Sequence, residues 1–260
     1  MLEKFPISVV VPVYNEGSNI AIFLNSLESS VKIKNEVLIV FDFNEDDTVP
    51  VVKNLKKKFP NVRLVKNAWG FGLVNAIKTG FIKSLGEFIV VMPGDLADDP
   101  KTINKMYKLI KQGFDIVCAT RYSKGGKQIG GRPIKTILSK VAGWTTPLLL
   151  GIPTSDLTNG YKMYRKKVLE RINIQSLGGW EFAMEILIKA HFLGFKITET
   201  PSTWKERSFG KSKFKLFSWL PRYIYWYCWG ITQRLKIYLE KLDTLINRVK
   251  DIFSKLFSKL

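Results

Sequence analysis

The chain has 260 residues, 46% of them hydrophobic and 13% aromatic, so it can bury a full core and is not a disordered protein. Its 41 Lys and Arg residues outnumber 22 Asp and Glu residues, and the formal net charge of +19 favours anionic partners such as nucleic acid, a phosphorylated nucleotide or an acidic membrane surface. Cys118 and Cys228 fit no disulfide or zinc motif, no secretory signal is recognisable, and no apolar stretch reaches about 18 residues, so we expect a reducing compartment and no complete transmembrane helix.

Apolar strand-like runs alternate with helical patterns over the first half of the chain. Strands are predicted at Ile7–Val13, Val37–Phe41, Val62–Val65, Phe88–Met92 and Ile116–Ala119. Helices are predicted at Ser18–Leu27, in a short basic segment through Lys58, at Leu73–Leu85 and at Thr102–Ile110. This alternation predicts an α/β fold with a mostly parallel, doubly wound sheet and right-handed crossovers.

Three carboxylates, Asp95, Asp98 and Asp99, follow the fourth predicted strand directly. Open α/β sheets bind their ligands at the carboxyl ends of strands, and hard oxygen donors there suit a divalent cation that holds a phosphorylated substrate. The alternative is a polar turn in which Asp98 or Asp99 caps the helix that begins near Pro100.

Polar residues also follow the other predicted strands, as Tyr14-Asn15-Glu16, Asp42 and Arg121-Tyr122. Because parallel strands end at one edge of a sheet, a single crevice could hold all of these side chains. The glycines at 70, 72 and 80 do not fall between the first strand and its helix, which disfavours a dinucleotide-binding fingerprint.

These motifs resemble family 2 glycosyltransferases of the GT-A fold, in particular the branch that includes dolichol-phosphate mannose synthases. The resemblance covers roughly residues 6–215 and implies a Rossmann-like mixed sheet flanked by helices. It is carried by Val-Val-Pro-Val-Tyr-Asn-Glu at 10–16, Asp42, Gly-Phe-Gly at 70–72, Gly-Asp-Leu at 94–96, Arg-Tyr at 121–122, Ser-Asp-Leu-Thr-Asn-Gly-Tyr-Lys-Met-Tyr-Arg at 155–165, Phe-Ala-Met-Glu-Ile at 182–186, and Arg207 with Gly-Lys-Ser-Lys-Phe at 210–214.

The resemblance implies a site for a GDP- or UDP-sugar. The implied nucleotide-sugar contacts are Pro12, Tyr14, Glu16, Asp42, Gly94, Asp95, Arg121 and Lys213. Arg207 matches a basic residue that contacts diphosphate or acceptor phosphate, where pairing with a cation is expected.

This sequence departs from the family pattern at the metal motif. The position two residues before Asp95 is Pro93, and the acidic pair expected after the second strand is Phe41-Asp42. Mg²⁺ or Mn²⁺ would then rest on Asp95 and Asp98, with phosphate oxygens and water completing the shell. The alternative is a catalytically inactive GT-A-like subunit that binds nucleotide sugar or lipid.

The implied reaction is attack of an acceptor oxygen on the anomeric carbon of a nucleotide sugar, with inversion, and the expected catalytic residues are Asp95, Arg207 and Glu185. A hydroxyl acceptor would need Glu185 or Glu181 as a base, whereas a lipid phosphate is already anionic. Glu185 resembles the site of the lipid-phosphate branch, so we expect a polyprenyl phosphate acceptor. Its phosphate would lie near Lys135, Ser139 and Arg207.

The chain is predicted to divide into a GT-A domain at 1–215 and a helical extension at 216–260. A basic and apolar helix within about 130–150 could lie at a membrane interface or pack on the sheet. Aromatic residues crowd 217–229, and apolar residues then repeat every seven positions from Leu235 to Leu256, which favours a membrane surface or a homo-oligomer. We expect a peripheral protein on the cytoplasmic face of a membrane that binds no nucleic acid.

Overall fold

A computed structural model describes residues 5–207 and 216–257. The strands are β1 (Ile7–Pro12), β2 (Asn35–Phe41), β3 (Val62–Lys66), β4 (Phe88–Val91), β5 (Ile116–Thr120), β6 (Lys127–Ile129), β7 (Lys162–Arg165), β8 (Ile197–Pro201) and β9 (Thr203–Lys205). The helices are α1 (Gly17–Ser30), α2 (Thr48–Leu55), α3 (Leu73–Lys83), α4 (Thr102–Lys111), α5 (Pro133–Leu149), α6 (Lys166–Arg171), α7 (Glu181–Phe192) and α8 (Leu216–Phe257).

Seven strands form the central sheet in the order β3-β2-β1-β4-β7-β5-β8. Every neighbouring pair is parallel except those of β7, which runs antiparallel between β4 and β5. The five predicted strands are all present, and the predicted α/β class with a mixed sheet is confirmed. β1, β2, β4 and β5 end at one edge, as the doubly wound pattern requires.

Helices cover both faces of this sheet, because its strands are β-branched and apolar on both sides. On one face α1, α2 and α4 bury Phe23, Val52 and Met106 against β1, β2 and β4. On the other face α3, α7 and the first half of α8 surround the core. The approach of α3 to β1 requires a glycine at Gly80, since an added Cβ atom would lie 2.3 Å from Val10 Cγ1.

A second, two-stranded sheet lies over the loop after β4. Its strands β6 and β9 are parallel, and β9 also contacts that loop, since Lys205 N donates to the carbonyl of Ala97 at 2.8 Å and Asp98 bridges to Trp204. This pairing carries Arg207, two residues beyond β9, to the edge of the main sheet where β4 ends. The sequence gives no sign of it, because both strands have only three residues.

Helix α8 changes character along its 42 residues. In its first half Trp226 is buried and donates from Nε1 to Ser176 Oγ at 3.1 Å, and Gly230 lies against Leu150 and Ile188. From Leu235 onward its described side chains are exposed. The division of the chain at residue 216 stays a prediction. Among the helices of residues 5–207 and 216–257, none is both long and apolar enough to cross a bilayer.

Candidate functional site

A cavity of about 990 Å³ opens at the edge of the sheet where β1, β2, β4 and β5 end. It brings together most of the residues expected at the site. These are Pro12, Tyr14, Glu16, Asp42, Gly94, Asp95, Asp98, Arg121, Lys135, Ser139 and Arg207. Lys213 lies outside the described residues.

The loop after β1 is held in place by the acidic segment after β2. Asp46 Oδ2 accepts from the backbone N–H of Asn15 at 3.1 Å, and Asp47 Oδ1 accepts from that of Gly17 at 2.8 Å. Asn15 adopts a left-handed conformation with φ of 53°, which asparagine tolerates better than most residues. These bonds set the backbone that presents Tyr14 and Glu16 to the cavity.

An aromatic cluster stands beside Asp42 at the outer end of the cavity. The Asp42 carboxylate accepts from Asn67 Nδ2 at 2.8 Å and from the backbone N–H of Gly72 at 3.0 Å, which fixes the loop that carries Phe71. Phe43 lies 5.5 Å from Tyr14 and 6.3 Å from Phe71, measured between ring centroids. Neither phenylalanine ring was predicted as a site residue, because single aromatic residues on loops are common, although Phe71 lies within the Gly-Phe-Gly motif and Phe43 follows Asp42.

Asp95 is engaged on both oxygens. Its Oδ1 accepts from the backbone N–H of Ala97 at 3.1 Å, and its Oδ2 accepts from Arg207 at 2.6 Å. The same guanidinium group lies 3.4 Å from Glu16 Oε1. The Arg207 side chain therefore bridges Glu16, which follows β1, and Asp95, which follows β4.

Asp98 is 6% exposed, and its Oδ1 has no hydrogen-bond partner. Burial and the nearby charge of Asp95 raise the pKa of Asp98 to about 8. A buried carboxyl oxygen without a partner next to a second carboxylate is the environment that a divalent cation would stabilise. The residues present fit such a cation, although the described residues contain no cluster of three or more His, Cys, Asp or Glu side chains suited to hold one.

Basic residues line the cavity on the side of β5 and α5. Asp156 accepts from Arg121 Nε at 2.7 Å and from Nη2 at 2.8 Å, and Ser139 Oγ accepts from Nη2 at 2.9 Å. Although burial works against the charge, Asp156 raises the pKa of Arg121 above its ordinary value. Lys135, one turn before Ser139 on α5, has its pKa lowered to about 8 by burial and by Arg121. The cavity thus presents an anion with two basic side chains, one with a raised pKa and one with a lowered pKa.

The remainder of the cavity is apolar and runs between α5 and α8. Leu138 and Val141 line it from α5, Trp219 and Ile224 line it from α8, and Trp180 lines it as well. Thr145 Oγ1 and Tyr227 Oη form a hydrogen bond of 2.5 Å that joins the two helices. A ligand with a charged head and a hydrocarbon portion matches this distribution.

The structure does not bring Glu185, one of the three expected catalytic residues, to the cavity. Its carboxylate is fully buried, accepts from the backbone N–H groups of Gln175 and Ser176, and pairs with Lys189 at 2.5 Å. It does not line the cavity. Glu181 is also absent from the lining and accepts from the N–H of Gly179 at 3.1 Å. These contacts favour a structural role for Glu185 near the start of α7, and its catalytic role stays a prediction.

Two proteins with similar sequences are named as mannose transferases for dolichol phosphate and polyprenol phosphate. The chain is 33% identical over 227 residues to a dolichol-phosphate mannosyltransferase from Pyrococcus furiosus, a match that covers 84% of this chain and spans 62% of that relative's length. It is 28% identical over 211 residues to polyprenol monophosphomannose synthase from Mycolicibacterium smegmatis, which covers 79% of each chain.

The fold is similar to that of glucosyl-3-phosphoglycerate synthase from Mycobacterium tuberculosis, solved with Mn²⁺, UDP and glucosyl-3-phosphoglycerate. The TM-score is 0.66 at 16% identity, over 88% of this chain and 80% of the other. The sequence also matches the glycosyl transferase family 2 profile over residues 8–172. Because that match spans more than half of the sequence, the chain belongs to glycosyl transferase family 2, and its fold is the GT-A fold expected of the family.

Proposed function

We propose that the protein is an inverting glycosyltransferase that moves a sugar from a GDP- or UDP-sugar to a polyprenyl phosphate. One observation carries this proposal: a single cavity joins the carboxylates Asp95 and Asp98 to the cations Arg121 and Lys135, and continues as an apolar channel between α5 and α8. A nucleoside diphosphate fits beside the carboxylates, a phosphate fits beside the cations and a hydrocarbon chain fits in the apolar channel. The two polyprenyl-phosphate relatives support the same substrates.

The donor nucleotide would bind at the aromatic end of the cavity. There the base can stack on Phe43 or Phe71, with Asp42, Tyr14 and Glu16 close by, and its diphosphate would reach Gly94 and Asp95. Gly94 packs closely against the core beneath this part of the cavity, since an added Cβ atom would lie 3.3 Å from Val11 Cγ1. Lys213 would add a phosphate contact from the segment beyond Arg207.

We propose that Asp95 and Asp98 hold a Mg²⁺ or Mn²⁺ ion, as oxygen ligands of the type these cations prefer. Bound there, the cation would neutralise charge on the leaving diphosphate. The Mycobacterium tuberculosis structures with Mn²⁺ or with Mg²⁺ and UDP support the choice of metal. The chain itself supplies Arg207, which already lies against Asp95 and can stabilise the departing phosphate.

The acceptor phosphate would bind between Lys135, Ser139 and Arg207. Its oxygen attacks the anomeric carbon from the face opposite the diphosphate, the bond to the diphosphate oxygen breaks, and the sugar inverts. A phosphate oxygen is already anionic, so the step needs no proton transfer. The exclusion of Glu185 and Glu181 from the cavity lining is consistent with an acceptor of this kind.

A transfer assay tests the proposal with a panel of UDP- and GDP-sugars, polyprenyl phosphate, and Mn²⁺ or a chelator. We expect metal-dependent transfer from one donor, and a loss of at least about 100-fold in Asp95→Ala. The absence of turnover together with metal-independent nucleotide binding would favour the inactive subunit instead. Because the proposed acceptor is a lipid, we also propose that the protein is peripheral on the cytoplasmic face of a membrane. Fractionation of cells into membrane and soluble parts tests the association with a membrane.

A further inference from the structure

The segment 155–161, which precedes β7, belongs to the longest motif of the sequence but takes no part in the site described so far. Its turn is fixed to the sheet by a buried cation, because the Lys162 ammonium group donates to the carbonyls of Leu157 and Asn159. Between these two carbonyls in the chain stands Thr158, which is half-buried and lines the cavity. A hydroxyl group is therefore held beside the proposed acceptor phosphate site.

The same segment fixes the guanidinium group of Arg121 through the fully buried Asp156. Asp156 Oδ2 accepts from the backbone N–H of Arg121 at 3.1 Å as well as from Nε, and Oδ1 accepts from Nη2. The guanidinium carbon also lies 4.9 Å from the centroid of the Tyr122 ring. Within 5–207 and 216–257 no group accepts from the remaining nitrogen, Nη1. Because Arg121 lines the cavity, this nitrogen is available to an anion there.

Thr158 shares one hydrogen bond with Ser139, and the pair is bonded to Arg121. Ser139 Oγ and Thr158 Oγ1 are 2.6 Å apart, and Arg121 Nη2 donates to the first at 2.9 Å and to the second at 3.3 Å. The two hydroxyl groups carry two hydrogens, and their mutual bond uses one of them. Arginine has no acceptor atom for the other. One hydroxyl hydrogen of the pair must therefore find its acceptor elsewhere.

The hydrogen of Thr158 is the one with the poorer bond inside the protein. When Ser139 donates to Thr158, the Thr158 hydroxyl can donate to Asp156 Oδ1 only at 3.5 Å, the upper limit for a hydrogen bond. That oxygen already accepts from Arg121 at 2.8 Å. Ser139 is only 6% exposed, whereas Thr158 is half-buried. An anionic oxygen in the cavity would offer this hydrogen a better acceptor, and the hydroxyl reaches it by rotation about one bond.

We propose that Thr158 is a further binding residue for the acceptor, whose phosphate accepts a hydrogen bond from the Thr158 hydroxyl. This inference rests on the proposed transfer to a polyprenyl phosphate and adds one residue to its acceptor site. A phosphate monoester has three terminal oxygens, of which one attacks the anomeric carbon and two remain for the protein. Thr158 and Arg121 Nη1 are donors for these two oxygens, and they come from different loops at the same sheet edge. A phosphate held on both oxygens presents the third to the sugar.

Thr158→Val tests the hydroxyl, because valine keeps the branched shape and removes the donor. Binding of farnesyl phosphate to the full chain, measured by calorimetry without nucleotide, should weaken about tenfold or more, and KM for polyprenyl phosphate should rise by a similar factor. Thr158→Ser keeps the hydroxyl and should stay within about twofold of the wild type in both quantities. The matched control is Thr198→Val, a half-buried threonine of β8 outside the cavity lining, which should change neither.

Titration with UDP and GDP separates loss of this bond from a general change of the site, since nucleotide binding should be the same in Thr158→Val and the wild type. Equal weakening of farnesyl phosphate binding in the valine and serine variants, or an equal loss of nucleotide binding, would overturn the proposal. Wild-type binding and KM in Thr158→Val would also overturn it and leave transfer to a polyprenyl phosphate intact. Conversely, farnesyl phosphate binding that depends on the hydroxyl in a protein without transferase activity would support Thr158 and contradict the proposed function.

Discussion

The guanidinium group of Arg207 donates to Asp95 Oδ2 at 2.6 Å, so the residue proposed to stabilise the leaving diphosphate is paired with a proposed metal ligand. Without nucleotide, Arg207 and a divalent cation compete for the same carboxylate. With nucleotide, the diphosphate offers Arg207 a new partner and leaves Asp95 to the cation. Metal binding and nucleotide binding should therefore be coupled through this pair.

Arg207→Ala separates the two roles of this side chain. Loss of the competing cation should tighten Mn²⁺ binding, measured by calorimetry without nucleotide, by roughly tenfold, the equivalent of one charged hydrogen bond. Turnover should fall by about 100-fold, because the leaving group loses a stabilising contact. The matched control is Lys205→Ala, an exposed basic residue two positions away, which should alter neither quantity. Weaker Mn²⁺ binding in Arg207→Ala would contradict the competition.

Phe71→Ala should weaken nucleotide binding roughly tenfold or more, since base stacking on an aromatic ring contributes about 1–3 kcal/mol. Phe71 lines the cavity and lies close to Phe43. Trp69→Ala provides the control, because Trp69 is an exposed aromatic residue of the same loop that does not line the cavity. Fluorescence or calorimetric titration with UDP and GDP measures both variants. Equal effects of the two substitutions would argue against a stacking role.

The lowered pKa of Lys135 leads us to expect that acceptor binding depends on pH. Its pKa is lowered to about 8, chiefly by burial and by Arg121, with a further lowering by Arg132 and opposing contributions from Asp95 and Asp98. The side chain is charged below that pH and loses its charge as the pH rises through about 8, so kcat/KM for the acceptor should fall there.

Lys135→Arg is the matched variant, because arginine keeps its charge throughout this range. It should flatten the fall between pH 7 and about 9, whereas Lys135→Ala should give low kcat/KM at every pH. Profiles of kcat/KM against pH for the three proteins check this. A fall near pH 8 that persists in Lys135→Arg would assign the titration to another group.

Glu185→Ala should lower the free energy of unfolding by about 3 kcal/mol, because it leaves the Lys189 ammonium group and two backbone N–H groups without their acceptor. Glu185→Gln keeps the size of the side chain and serves where the alanine variant is too unstable. The kcat per folded molecule should stay within about twofold of the wild type. Glu28→Ala, at an exposed position of α1, should change neither stability nor kcat. A folded Glu185→Gln with a large loss of kcat would restore this residue as a base.

The predictable part of the fold rests on β-branched runs such as Val9–Val11 and Val37–Val40, whose burial on both faces leaves few alternatives to a parallel strand. Strand β7 escaped prediction because it has four residues and begins with Lys162. That lysine is fully buried and lies in the sheet only because its ammonium group donates to the carbonyls of Leu157 and Asn159. No local pattern reveals such a tertiary arrangement.

At the site, residues within motifs were brought together as expected, since each follows a strand that ends at the same edge. The surroundings of Glu185 could not be predicted, because a carboxylate in the first turns of a helix has the same sequence pattern whether it faces a cavity or a neighbouring backbone segment. Here it faces Gln175 and Ser176. The contact between Arg207 and Asp95, 112 residues apart, depends on the pairing of two three-residue strands and is not encoded locally.

The most direct measurement is the rate of labelled sugar transfer from the preferred nucleotide sugar, with Mn²⁺, to polyprenyl phosphate and to the uncharged polyprenol of the same length. The proposed site predicts a lipid-linked product from the phosphate alone, because Lys135, Ser139 and Arg207 bind an anion and the cavity lining lacks Glu185 and Glu181 as bases. Equal transfer to polyprenol, or no lipid-linked product from either acceptor, would contradict it.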